Sequence, residues 1–260
     1  MGVSAFGELR TLDAMHHDDL LSSLRADAAA LLAAARSAHP DQVIEACPGW
    51  KPIDLVWHIG EVHFFWGTMV RRRFTDPEQV DSLRPERPAD DEGVFDFAEG
   101  SAEMLIEALS SVDPSTEVWT WSEQKDVAFV IRRMAQETAV HRVDAERAAG
   151  NPYRVDAELA SDGIDEFLEF FFRLWTADGA LPLDGSVHLH CTDVDGEWVV
   201  TTDADGACAI TREHAKGDAA MRGDAHDLLM VLWRRAPIET VDIIGDRSVA
   251  ERLVARTNLE

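Results

Sequence analysis

Basic residues are scarce in this chain: 24 Lys and Arg stand against 49 Asp and Glu in 260 residues, a formal net charge of −25. Phosphate recognition needs a basic footprint, so nucleic acid is not an expected partner. The acidic residues are spread along the whole length and form no tail, the pattern of a solvated acidic surface. Cysteine is sparse too. The three thiols, Cys47, Cys191 and Cys208, show no CxxC spacing and no even count, and a chain of this length needs no disulfide staples. A reducing, cytoplasmic compartment is therefore expected. Long apolar runs are missing: the opening MGVSAFGELRTLDAMHHDDL has no apolar stretch behind a basic start, and nothing later reaches 18 uninterrupted apolar residues. No membrane partner is expected, and neither internal repeats nor low-complexity segments occur.

What is present is helical periodicity. Leu20, Leu24, Ala28, Leu31, Leu32 and Ala35 recur at helical spacing before Pro40, Pro48 and Gly49 interrupt the pattern. Pro52 suits a first helical turn, and Leu55, Ile59, Val62, Trp66 and Met69 follow on one face up to Arg71, Arg72 and Arg73. A polar connection, 76–92, leads to a third run through Val94, Phe97, Ala98, Ser101, Leu105 and Leu109. A loop carrying Trp119 and Trp121 precedes the fourth, from Val127 through Val130, Met134, Thr138, His141 and Ala145 to the stop at Gly150, Asn151 and Pro152. Four helices of these lengths predict an antiparallel bundle.

Beyond Pro152 the texture changes. A helix over roughly 156–175 leads into short alternating runs at 187–190, 198–201 and 207–211, separated by the turns Asp195-Gly196 and Asp205-Gly206, which predict an antiparallel sheet. Helical patterns at 224–235 and 247–256 follow. The expected architecture is α+β in two domains: a four-helix bundle over 1–153 and a small α+β domain over 154–260.

Two helices place metal-ligand side chains on stripes that ought to be apolar. His58 lies three residues after Leu55 and four before Val62. Glu137 and His141 are four apart, hence on one face about a turn from each other. A carboxylate and two imidazoles are costly to bury unless something offsets their desolvation. Three N/O ligands with an open fourth position suit a catalytic divalent metal. The same residues admit plainer readings, a hydrogen-bonded core histidine and a solvated Glu/His pair. Glu61 and Asp144, each three residues beyond a histidine, could orient a ligand imidazole or cap the rim of the bundle in water. His63, about 140° around the helix from His58, is not expected to be a ligand. Arg142 is expected to form a structural ion pair, and Cys47 to pack in a loop or act as a redox thiol. His188 and His190 share a strand face, open to a second metal site or to cross-strand polar contacts.

The stretches CPGWKPIDLVWHIGEV (47–62) and ETAVHRVDAE (137–146) resemble the two signature segments of the mycothiol-dependent maleylpyruvate isomerase family, and MRGDAHDLLMVLWRR (221–235) resembles a segment of that family's C-terminal domain. The resemblance spans essentially the whole chain. It implies a DinB-like N-terminal bundle with zinc held by His58, Glu137 and His141, the same trio that burial selects. It also implies mycothiol as a low-molecular-weight thiol cofactor acting on a small electrophilic substrate, by isomerisation or by S-transfer. Arg222, in a short Arg-Gly turn before the 224–235 helix, is a candidate for binding an anionic thiol or a carboxylate substrate, as a cofactor-binding or catalytic group; a surface arginine beside Asp224 is the plainer reading. Two other functions stay open: a non-catalytic metal-binding protein, sensor or regulatory partner, and a helical scaffold with a satisfied polar core.

Overall fold

The computed structural model describes residues 15–151, 153–176 and 180–259. Chain contacts divide them into two units, Met15–Val155 and residues 156–259.

The first unit is helical. Helices α1 (His17–Ser37), α2 (Pro52–Arg72), α4 (Asp91–Ser111) and α5 (Val127–Ala148) are the long ones, and a short α3 (Glu78–Asp81) sits in the connection after α2. Their starts are written in the sequence. Asp54 accepts from the Lys51 backbone N–H at 3.0 Å just as Pro52 opens α2. Asp90 and Asp126 accept from Gly93 N and Phe129 N at 2.9 and 3.0 Å to cap α4 and α5. The apolar stripes meet in a core of Leu24, Leu31, Leu55, Ile59, Met69, Leu105, Leu109, Phe129 and Val130, all nearly inaccessible to solvent.

Contacts along the helices fix their directions. Gly60 lies against Ala98 and Gly67 against Leu105, so α2 and α4 run the same way. His58 meets Glu137, His63 meets Thr138 and Trp66 meets Phe129, so α5 runs against α2. Arg36, at the end of α1, bridges to Glu92 at the start of α4, which makes α1 antiparallel to α4. Two helices therefore run each way. The parallel α2/α4 neighbours are possible because the 73–90 connection returns the chain along the bundle: its eighteen residues can span up to about 60 Å, against about 32 Å for a helix of 21 residues.

The second unit holds α6 (Ala157–Glu166), a π-helical segment (Phe167–Phe172), strands β1 (Ser186–Cys191), β2 (Glu197–Thr202), β3 (Cys208–Thr211), β4 (Ala219–Gly223) and β5 (Asp242–Gly245), and helices α7 (Ala225–Leu232) and α8 (Arg247–Arg256). The single helix expected over 156–175 thus changes its winding at the phenylalanine run, whose Phe167, Phe170, Phe171 and Phe172 are all buried. The sheet order is β3-β2-β1-β4-β5. The hairpin turns give antiparallel β1/β2 and β2/β3, and β5 is antiparallel to β4, but β4 pairs with β1 in parallel. The three strands expected from the turn signals pair antiparallel as expected, and the parallel β1/β4 pairing adds to them because local turn signals report only sequence-adjacent strands. Val187, Leu189, Trp198, Val200, Ala219 and Met221 occupy one face of the sheet and are wholly buried. Helices α7 and α8 pack on the central strands β1 and β4. Among the described residues no helix is long and apolar enough to cross a membrane.

Close approach of α2 to α4 depends on glycine. A Cβ at Gly67 would stand 3.0 Å from the Leu105 Cα, whereas one at Gly100 on α4 would meet nothing within 4 Å. Gly67→Val should lower stability by about 1–3 kcal/mol through overpacking, and Gly100→Ala should raise it by about 0.5–1 kcal/mol through helix propensity. Urea unfolding of the two variants tests the opposite signs.

Candidate metal centre

Glu137 is the hub of the site. It projects from the middle of α5, and Arg133, one turn earlier and buried, donates to its Oε2 at 3.0 Å. The other oxygen, Oε1, is left facing two imidazoles. His141 Nε2 lies 3.3 Å from it and His58 Nε2, from α2, lies 3.5 Å away. The two rings meet edge to face with centroids 5.1 Å apart. Trp50, in the loop before α2, packs against His58 at 4.9 Å, tilted by 55°. His141 is buried, while His58 and Glu137 retain partial access to solvent.

The donor set fits a divalent metal. A four-coordinate zinc with ligands at about 2.0–2.1 Å holds its donors about 3.3 Å apart, close to the observed 3.3 and 3.5 Å. The far nitrogen of His141, Nδ1, lies 3.0 Å from Asp144 Oδ2, and Asp144 is buried. A carboxylate behind a ligand imidazole fixes the tautomer and leaves Nε2 free to bind metal. Of the two residues that spacing offered for this part, Asp144 takes it and Glu61 stands 3.9 Å from Arg84 instead.

The electrostatics follow. Burial by itself would raise the Glu137 pKa, but hydrogen bonds from His141 and His58 and the charge of Arg133 hold it well below the usual carboxylate range. Burial also opposes charge on His141, yet Asp144 and Glu137 overcome it and push its pKa up to about 9. His63, fully buried and 2.9 Å from Thr138 Oγ1, is pushed down by desolvation to about 4 and stays neutral. It stands outside the donor cluster.

Comparison with known proteins identifies the family of the chain. Residues 21–146 match the family model described as the mycothiol maleylpyruvate isomerase N-terminal domain, and residues 158–252 match the MDMPI C-terminal domain. The chain belongs to the mycothiol maleylpyruvate isomerase family. Among solved structures it is similar to the crystal structure of the mycothiol-dependent maleylpyruvate isomerase, at 12% identity and a TM-score of 0.58, over 90% of this chain and 95% of that one. A histidine-to-alanine mutant of that enzyme matches at 12% identity and a TM-score of 0.57, with the same coverage of both chains. At that identity the likeness is one of fold. No curated protein matches the chain.

Within this member of the maleylpyruvate isomerase family, Arg133 escaped the sequence reading, and Cys47, read as a packed or redox thiol, lies nearer the centre than that reading placed it. Arg133 is four residues before Glu137, a spacing that could have revealed it. Cys47, in the loop between α1 and α2, comes within 4.8 Å of donor atoms of His141 and Asp144, a proximity that no spacing signals. Arg142 pairs with Asp27 of α1 and with the Tyr153 hydroxyl, the structural ion pair expected of it. Arg222 lies in strand β4 and not in a turn, because Arg-Gly here is the end of the strand paired to β1. Its guanidinium is half exposed, 3.7 Å from Asp242 of β5.

Two outcomes are expected of this centre. Asp144→Asn should weaken zinc binding about 10–100-fold with the fold intact, measured by competition with a chromophoric chelator. The second concerns pH. With the folded-state pKa of His141 raised from 6.5 to about 9, the metal-free protein holds that stabilisation fully below pH 6.5 and loses it as pH rises through 9. Metal takes only the neutral imidazole, so zinc affinity should rise about tenfold per pH unit between 7 and 9. A flat profile over that range would contradict the His141 environment.

Proposed function

We propose that the protein is a zinc-dependent enzyme that uses mycothiol to act on a small electrophile, by isomerisation or by S-transfer. The observation that carries this reading is the convergence of His58 Nε2 and His141 Nε2 on Glu137 Oε1 from two helices. Family membership supports it, as does the likeness in fold to the mycothiol-dependent maleylpyruvate isomerase.

The three side chains would hold the ion and leave a coordination position open. A zinc ion bound there supplies Lewis acidity that favours the thiolate, the nucleophilic form of a thiol. The remaining tasks fall to the chain. Arg133 keeps one Glu137 oxygen engaged, so that the other is presented to the centre. Asp144 holds the His141 ring in its metal-binding tautomer. Trp50 shields one side of His58, lowering water access to the donor. Arg222, half exposed on β4, is the candidate for an anionic group of the thiol or of the substrate.

The test uses the zinc-loaded full chain with mycothiol and maleylpyruvate. Turnover that requires both metal and mycothiol, and that falls to background in His141→Ala together with the bundle's zinc, is the expected result. A metal-free variant with full turnover would overturn the proposal. Zinc binding without any affinity for mycothiol would favour the non-catalytic metal-binding alternative.

A further inference from the structure

The second unit carries a convergence of donors that the first site does not use. His188 and His190 alternate along β1 and so share one face of the sheet, opposite to the buried Val187 and Leu189. Glu197 of β2 is the direct cross-strand partner of His190 and therefore stands on that same face. His214 comes from the segment between β3 and β4 and turns its ring onto the same carboxylate. His190 Nδ1 lies 2.9 Å from Glu197 Oε1, while His188 Nε2 and His214 Nδ1 lie 3.3 and 2.6 Å from Oε2. The three rings surround the carboxylate with centroids 5.4–6.1 Å apart. One ligand atom from each of the four residues falls within 4.8 Å of the others.

We propose that His188, His190, Glu197 and His214 form a second metal site, specific for a borderline divalent cation such as zinc. Imidazole and carboxylate donors are the set such ions prefer. A four-coordinate ion sets its donors about 3.3 Å apart, so a cluster whose donor atoms lie within 4.8 Å of one another needs to tighten by no more than about 1.5 Å. That adjustment falls to His214, whose side chain is 79% exposed, while the sheet positions of the other three are fixed by strand pairing. A chain of net charge −25 also concentrates cations at its surface. The donor count separates this site from the one in the bundle. Three protein ligands leave a position for a reactant, whereas four close the coordination sphere, the pattern of a structural ion. The ion's work here is to clamp the segment after β3 onto β1 and β2.

The experiment is zinc stoichiometry on tag-free, chelator-stripped full-length protein by equilibrium dialysis and elemental analysis. Four proteins are compared: wild type, His214→Ala, the double variant His190→Gln/His214→Ala, and the bundle variant His58→Ala/His141→Ala. Two equivalents are expected in wild type and one in each of the other three. Cobalt-loaded bundle variant should show the visible absorption of a four-coordinate N/O site, and addition of His214→Ala should remove it. Since His214 is on the surface, its replacement leaves the fold intact, which circular dichroism verifies. A bundle variant that retains no zinc, or whose zinc and cobalt spectrum survive His190→Gln/His214→Ala, overturns the second site. One equivalent in wild type that persists in the bundle variant and is lost with His214 would instead remove the bundle centre and leave this one standing.

Discussion

A carboxylate set between helices with its charge retained is the constraint on which the bundle's inner face depends. Glu137 stays an anion only because cationic or donating groups surround it: Arg133 on one oxygen, His141 and His58 on the other. Removing one partner from such a cluster leaves an uncompensated charge, which costs far more than the cluster contributes when complete. The register between α2 and α5 is therefore held by polar geometry as well as by apolar packing. In the metal-free protein the proton on His141 supplies the countercharge. A divalent ion would supply it instead, exchanging one proton for two positive charges at the same point.

That constraint reaches α4 through glycine. His58 is two positions before Gly60, and Gly60 and Gly67 let α2 lie almost backbone to backbone on α4. Tight seating on that side fixes the axis of α2, and with it the direction of the His58 side chain toward α5. A side chain on a rigid helix is more accurately placed than one on a loop, so small residues that are not themselves donors contribute to donor geometry.

Much of this was legible in the residues. Pro52, Asp90 and Asp126 mark helix starts, the 3.6 period marks the buried stripes, and His58, Glu137 and His141 are conspicuous because they break those stripes. What stayed illegible was non-local. Ala219–Gly223 lacks a strong apolar alternation and takes its strand identity from pairing in parallel with β1, which is why Arg222 read as part of a turn. Glu61 and Asp144 share the same offset from a histidine, and only packing decides that Asp144 is buried behind His141 while Glu61 faces Arg84. The His188/His190 alternation was visible, but Glu197 and His214 join it only through strand register and a returning segment.

The fold itself does not fix the chemistry, but the two donor sets constrain it differently. A site closed by four side chains has no position to offer a thiol, however tightly it binds its ion. An imidazole-carboxylate trio has one, and the residues around it are arranged to keep it that way: Arg133 occupies the Glu137 oxygen that could otherwise chelate, and Asp144 occupies the His141 nitrogen that faces away. In the proposed centre, partners of that kind would keep those two atoms from adding to the three donors. Under the two proposals thiol activation belongs to the bundle, and an ion held by the sheet would bear on stability alone.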